Sequence, residues 1–385
     1  MFFKKPHYPY GKQSISWSDI WAVVKTLRSN WLTQGPTIKE FETALCKYTG
    51  AEYAVAVANA TAALHLAMLA LQISNNDEVI TSPITFLASA NCVRYAGGTV
   101  VFADIDPTTA CIDPEKIKAH ITPRTKALIP VHFAGIACDM EAIHKIARAH
   151  NLFVIEDAAH AIGTTYKGSK IGSCKYSDMT IFSFHPVKTM TTGEGGVITT
   201  NNKELYETLL RLRSHGMTRD RSRMTHYDGP WYYQMQELGF NYRITDIQAA
   251  LGISQLKRLD SFVKKRRHIV DYYRKHFAHD SRFNVLTEHP DCNAGYHIFP
   301  LLINFDHVTH SKSDIFAQLA EKGIYPQVLY IPVHTQPYYK KLGFNDGDFP
   351  LAEKYYQQTM SLPLYVGLKN TDLNYIVKTI KEVVV

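Results

Sequence analysis

Two stretches decide the reading of this chain: Leu152-Phe153-Val154-Ile155-Glu156-Asp157 and Phe182-Ser183-Phe184-His185-Pro186-Val187-Lys188. Each begins as a short apolar run, the pattern of a strand buried on both faces, and each closes on a charged residue. Similar runs flank them. Tyr53–Ala58, Glu78–Thr81, Val100–Asp104, Ala127–His132, Leu152–Glu156, Thr180–Phe184 and Val197–Thr200 read as strands. Ala62–Leu71, Ala88–Tyr95, Pro114–Ala119 and Met140–His150 read as the helices between them. Alternation of this kind predicts an α/β fold with a mostly parallel sheet between helices. Thr37-x-x-Glu40 reads as a capping box opening a helix through Lys47, so a helical arm precedes the sheet. Thr245–Phe277 reads as one helix, bent near Leu259-Asp260. Beyond it come shorter strands (Ile298–Phe305, Gln327–Ile331) and two helices (Ser313–Lys322, Asp372–Val383). We therefore expect a large domain over residues 1-258 and a smaller C-terminal α+β domain over 259-385. Residues Arg219–Met235, rich in charge, Tyr and Gly, read as a long surface or interface loop.

Composition narrows the function classes. With 385 residues and 45% hydrophobic side chains, the chain can bury a sizeable core. Met1-Phe2-Phe3 is followed at once by Lys4-Lys5-Pro6, too short an apolar start for a signal or a span. A soluble cytoplasmic protein with no membrane partner is the expectation. The net charge is +7, and the one dense basic run, Lys264-Lys265-Arg266-Arg267, reads as a solvated helix face. Without basic patches interleaved with aromatics, nucleic acid is not an expected partner. Six scattered cysteines with no C-x-x-C pair argue against zinc ribbons and disulfide frameworks. G-x-G-x-x-G follows none of the predicted strands, which excludes a nicotinamide-binding loop.

The chemistry lies in the two opening stretches. A lysine just past one strand and an acid ending another suit pyridoxal phosphate (PLP): Lys188 as an imine to its aldehyde, Asp157 on its protonated pyridine nitrogen. Ala158-Ala159-His160 would let a flat ring approach, with His160 in reach of the ring hydroxyl. Ser183 shares a strand face with Ile181 and is a candidate phosphate donor. Asn59-Ala60-Thr61-Ala62, where a strand meets a helix, offers free amides and the Thr61 hydroxyl to the phosphate, or simply a Thr N-cap. Phe86 is placed to stack on the ring. His185 and His334 are candidate sugar or diphosphate contacts, with a structural role the equal alternative for each.

Together these residues resemble the DegT/StrS family of nucleotide-sugar aminotransferases, within fold type I of the PLP enzymes. The likeness covers nearly the whole chain. It is carried by Trp31-Leu32-Thr33-Gln34-Gly35-Pro36, by Asn59-Ala60-Thr61-Ala62-Ala63-Leu64 and by Glu156-Asp157-Ala158-Ala159-His160-Ala161-Ile162-Gly163. It continues in Ser183 to Lys188 with the Gly193-Glu194-Gly195-Gly196 tail, Leu238 to Asp246, and Tyr330-Ile331-Pro332-Val333-His334. The sequence departs from many members in having Asn59-Ala60-Thr61 for Gly-Thr and His160 for Gln.

The resemblance implies that Ala60, Thr61, Phe86, Asp157, His160, Ser183, Lys188 and Asn241 hold the cofactor. Asn241 would do so from the neighbouring subunit, making a homodimer with shared active sites. It implies that Tyr10, Asn30, Trp31, Leu32, Thr33, Ala60, Asn241, Tyr330, Ile331, Pro332 and Val333 line the sugar-nucleotide site. Within the family the wording is most like the pseudaminic-acid branch. There an amino group passes from L-glutamate, leaving 2-oxoglutarate, to C4 of a UDP-linked 4-keto-6-deoxy-N-acetyl-hexosamine. The rivals are another nucleotide-sugar 3- or 4-aminotransferase (the 4-amino-arabinose type), a sugar dehydratase, against which Lys188 argues, and a non-catalytic sugar-binding sensor.

Overall fold

The computed structural model describes residues 6–385. The reading of Met1–Lys5 lies outside them. Seven strands form the central sheet: β1 (Tyr53–Val57), β2 (Glu78–Thr81), β3 (Thr99–Phe102), β4 (Thr125–Ile129), β5 (Phe153–Asp157), β6 (Met179–Ser183) and β7 (Gly196–Thr200). Their order is β1-β7-β6-β5-β4-β2-β3, parallel throughout except for β7, which runs antiparallel to both neighbours. Residues of β2, β6 and β7 are buried at every position, which is why these strands read as continuous apolar or β-branched runs.

Helices join and cover the strands: α1 (Trp17–Leu27), α2 (Pro36–Thr49), α3 (Ala60–Ala70), α4 (Ala88–Tyr95), α5 (Pro114–Ala119), α6 (Met140–His150), α7 (Lys203–Arg213), α8 (Asp246–Leu256) and α9 (Leu259–Phe277). The arm helices α1 and α2 both pack on α8. Buried Asp19 fastens α1 there, accepting from Ser254 Oγ at 2.6 Å, Gln255 Nε2 at 2.8 Å and Arg258 Nη1 at 2.8 Å. Beyond α9 a three-stranded antiparallel sheet, β8 (Phe283–Val285), β9 (Phe299–Ile303) and β10 (Thr359–Leu362), packs with helices Lys312–Glu321, Pro350–Gln358 and Asn370–Val383 to make the smaller α+β part. A short strand at Tyr8–Pro9 pairs in parallel with Ile324–Tyr325, so the arm reaches into that part. Among the described residues no helix is long and apolar enough to cross a membrane.

Several expectations are corrected. The predicted capping box at Thr37 does not open α2. Gly35 is the N-cap and Pro36 the first helical residue, and the Asp246 carboxylate takes the Gly35 and Thr37 amides at 2.7 and 3.0 Å. An acid from a distant helix thus does the capping. Thr245–Phe277 is two helices broken at Lys257–Arg258. Gln327–Ile331 is no strand; only Gln327 bridges Ser361. The basic run is not one solvated face. Arg266 is 1% exposed and donates to the carbonyls of Tyr296, His297 and Leu364. The sequence pattern predicts neither helices α1, α7 and Pro350–Gln358 nor strands β8 and β10.

Candidate active site

Because β1, β2, β4, β5 and β6 all point one way, their carboxyl ends lie along one edge of the sheet, where α/β sheets bind ligands. A cleft of about 860 Å³ opens there. Lining it are Tyr10, Ala60, Thr61, Phe86, Asp157, His160, Ser183, His185, Lys188 and Tyr330, ten of the residues expected from the sequence.

Asp157 is the last residue of β5 and is buried. Its Oδ2 accepts from Ser89 Oγ at 2.5 Å and its Oδ1 from the Ala159 amide at 3.1 Å. Ser89 in turn lies 2.6 Å from Thr85 Oγ1, so a hydroxyl relay from α4 orients the carboxylate. That relay was invisible in the sequence; its members come from another βα turn.

Lys188 follows β6 on a turn in which its amide donates to the His185 carbonyl at 2.9 Å. Its amine has neither hydrogen bond nor ion pair among the described residues. Burial pushes it down from the usual 10.5 to about 8, against the opposing pull of the Asp157 charge. An amine with that value keeps a minor neutral fraction near physiological pH, on the order of a hundredfold more than an ordinary lysine, and that is the form a nucleophile or proton carrier needs.

At the other end of the cleft Asn59 is the true N-cap of α3, its Oδ1 accepting from the Ala62 amide at 2.8 Å. Thr61 is therefore not the cap. The Ala60 and Thr61 amides and the Thr61 hydroxyl have no partner among the described residues. They form an anion seat at a helix N-terminus. Gly196 of β7 makes the seat possible, since a Cβ there would lie 2.5 Å from the Asn59 carbonyl carbon and 2.7 Å from the Ala60 nitrogen. Ser183 faces the same cleft, and Phe86 lies 57% exposed in it. Its ring meets Tyr330 at 6.0 Å between centroids, and the exposed remainder is apolar surface that a flat ligand could cover. His160 is buried, with Nε2 3.1 Å from the Tyr330 hydroxyl and Nδ1 without a partner among the described residues. Burial, with the Lys188 charge adding to it, holds this imidazole well below its usual range.

These features fit PLP. The α3 amides, Thr61 and Ser183 would hold its phosphate, Asp157 its pyridine nitrogen, Phe86 its face, His160 its ring oxygen and Lys188 its aldehyde carbon.

The remaining expected residues divide. Asn30, Trp31, Leu32, Thr33 and Asn241 are exposed and lie outside this cleft. They sit near one another, because Thr33 bridges Thr245 and the Asp246 amide donates to the Leu32 carbonyl. Ile331 and Pro332 also lie off the cleft lining. Val333 is buried, its amide bonded to the Pro83 carbonyl at 2.9 Å. His334 is a correction. It is fully buried, its Nε2 lies 3.0 Å from Glu353 Oε1, and its ring packs on Phe102 and Phe349. It packs the small part, through Glu353 and Phe349, against Phe102 of the central sheet, away from the cleft lining. His65 and Tyr242, which the sequence reading passed over, line the cleft and meet at 3.2 Å. His65 follows Thr61 by one helical turn, a spacing that could have flagged it.

Comparison with known proteins gives the family. The chain is 42% identical over 387 aligned positions to the spore coat polysaccharide biosynthesis protein SpsC of Bacillus subtilis, covering 100% of this chain and 99% of that one. It is 38% identical to a UDP-4-amino-4,6-dideoxy-N-acetyl-beta-L-altrosamine transaminase of Campylobacter jejuni, over 96% of each. The solved structure of Helicobacter pylori PseC, an aminotransferase involved in the biosynthesis of pseudoaminic acid, matches 99% of both chains with a TM-score of 0.90 at 32% identity. Residues 13–381 match one family along nearly the full length, and the chain belongs to the DegT/DnrJ/EryC1/StrS aminotransferase family.

Proposed function

We propose that this protein transfers the amino group of L-glutamate to C4 of a UDP-linked 4-keto-6-deoxy-N-acetyl-hexosamine, a precursor of pseudaminic acid. The coarser statement follows from its family: it is a PLP-dependent sugar aminotransferase. The observation that carries the catalytic reading is the unpaired, partly desolvated Lys188 amine in one cleft with the buried, doubly hydrogen-bonded Asp157. The similarity to a transaminase named for an altrosamine sugar supports the finer substrate.

Bound PLP supplies an electron sink for the carbon that loses its proton. Lys188 would hold the cofactor's aldehyde carbon. As a free neutral amine its Nζ would take the proton from the donor's α-carbon, a role worth about 10²–10⁴-fold. In the return half the same Nζ would give a proton to the sugar carbon that held the ketone. Asp157, fixed by Ser89 and the Ala159 amide, keeps a negative charge where the pyridinium needs it. His185 and Tyr10 at the cleft wall would meet the sugar.

On this reading the chain divides into parts over 1-258 and 259-385, which the helix break at Lys257–Arg258 supports. Two copies would share their sites. The exposure of Trp31 (55%), Leu32 (47%) and Leu238 (75%) beside Asn241 supports that pairing, since large apolar groups in one region suit a two-fold contact. Mixing Lys188→Ala with Asn241→Ala protein would then restore activity that neither has alone.

The test is a half-reaction screen. The enzyme is converted with glutamate to its amino form, freed of glutamate, and offered UDP- and GDP-linked 3- and 4-ketosugars. Return of the visible cofactor absorbance with the UDP-linked 4-keto-N-acetyl sugar is expected. Return only with a 3-ketosugar or a GDP-linked sugar would overturn the substrate while leaving the transaminase.

A further inference from the structure

Behind His160 stands a second buried imidazole. His297, 3% exposed, packs on His160 with ring centroids 4.5 Å apart. On its other side His160 meets Tyr330, 5.9 Å away at 25° between ring planes, with the Tyr330 hydroxyl 3.1 Å from Nε2. The backbone of this stack is held at several points. The His297 amide donates to the Ala134 carbonyl at 2.9 Å. Its carbonyl accepts from Arg266 at 3.0 Å, and the same guanidinium reaches the carbonyls of Tyr296 and Leu364. Gly135, at φ +93°, closes the third side: a Cβ there would lie 2.7 Å from the Tyr296 nitrogen and 2.9 Å from the His160 carbonyl.

The protonation states follow. Burial above all, with the charges of Lys188, His160, Arg266 and His185 adding to it, holds His297 well below its usual range. Burial also pushes the Tyr330 hydroxyl up, so it keeps its proton and has one to donate. Donation to His160 Nε2 makes Nδ1 the protonated nitrogen of a neutral ring. That Nδ1 is buried and has no acceptor among the described residues. A buried donor without a partner is costly unless a ligand supplies the acceptor. The ring oxygen of the cofactor is an acceptor of the right kind.

We propose that His297 and Tyr330 are positioning residues that fix His160 in one orientation and one tautomer, presenting Nδ1–H to the cofactor's ring oxygen. The proposal rests on the reading of His160 as that oxygen's partner. A donor at the oxygen draws negative charge away from the neighbouring protonated nitrogen joining Lys188 to the cofactor. Losing the donor therefore raises the pH at which that nitrogen gives up its proton.

The experiment titrates the visible absorbance of the PLP-loaded enzyme against pH. It compares His297→Phe, which keeps a flat ring, and Tyr330→Phe, which removes one oxygen, with His160→Ala and with the two double variants. Each single change should raise the midpoint by about half a unit or more. In the His160→Ala background neither should add a further shift, because both act through His160. Midpoints unchanged in His297→Phe and Tyr330→Phe but moved in His160→Ala would overturn the positioning role. Shifts that add in full to that of His160→Ala would overturn it as well. A midpoint unmoved in His160→Ala would instead overturn the reading of His160 beneath it. If His297→Phe does not fold, Tyr330→Phe and its double variant carry the test.

Discussion

The carboxyl edge of the central sheet and the segment from Gln327 to His334 both carry family motifs, yet they place their residues in opposite ways. At the sheet edge each chemical group sits at or just past a hydrogen-bonded strand end: Asp157 on β5, Ser183 on β6, and the α3 amides after β1. The strand period fixes which face such a residue meets, and all of them reach one cleft. Tyr330 to His334 has no ladder to hold it. Tyr330 enters the cleft, Val333 turns into the core, and His334 is buried against Phe102, Phe349 and Glu353. Membership of a motif therefore does not assign a residue to the ligand; the backbone beneath it does.

The strongest way to break this contrast is Lys188→Ala. It should abolish the visible absorbance of bound cofactor and lower turnover by at least about a thousandfold. Absorption spectra and initial rates check it. Asp157→Asn keeps the shape but removes the charge that holds the pyridinium. A loss of about a hundredfold or more in kcat, with the protein still folded, is expected from steady-state rates. A drop of only a few-fold would mean the sheet edge matters less than argued.

The pH dependence sharpens the same side. Burial lowers the Lys188 amine to about 8, so its neutral fraction grows as pH rises and levels off above that value. The rate at which apoenzyme captures PLP should climb up to about pH 8 and flatten beyond. A climb continuing toward 10.5 would show that the amine is not desolvated. The last prediction concerns the other region. His334→Ala should cost about 2–4 kcal/mol of stability through the cavity and the loss of one of the two hydrogen bonds to Glu353 Oε1, the other coming from the Gly347 amide. With the folded protein, kcat/KM should change by less than about threefold. Unchanged melting together with a raised KM for the sugar would return His334 to the cleft.

What the sequence made legible follows the same line. Strand cores such as Glu78–Thr81 and Thr180–Ser183 announce themselves because burial on both faces leaves a continuous apolar or β-branched signature. Lys188, Asp157 and the α3 seat were legible because they punctuate those runs. Interactions between distant elements were not. Asp246 capping α2 across more than two hundred residues, and Ser89 orienting Asp157, leave no local pattern. Arg266 looked like one cation in a solvated run. Its burial against three backbone carbonyls appears only once α9 is set beside Tyr296–His297 and Leu364. The Gln327–Ile331 segment is β-branched and aromatic enough for a strand, but no neighbouring strand accepts it beyond the Ser361 bridge.

The account stands most directly on whether nitrogen leaves glutamate and arrives on a nucleotide-linked ketosugar. Purified PLP-loaded protein, given nitrogen-labelled L-glutamate and the UDP-linked 4-keto-6-deoxy-N-acetyl-hexosamine, should yield 2-oxoglutarate and labelled 4-amino sugar in equal amounts. The Lys188→Ala protein should yield neither. If glutamate binds but no label reaches any nucleotide sugar and no 2-oxoglutarate forms, the protein is a binding module on this fold and the account is wrong.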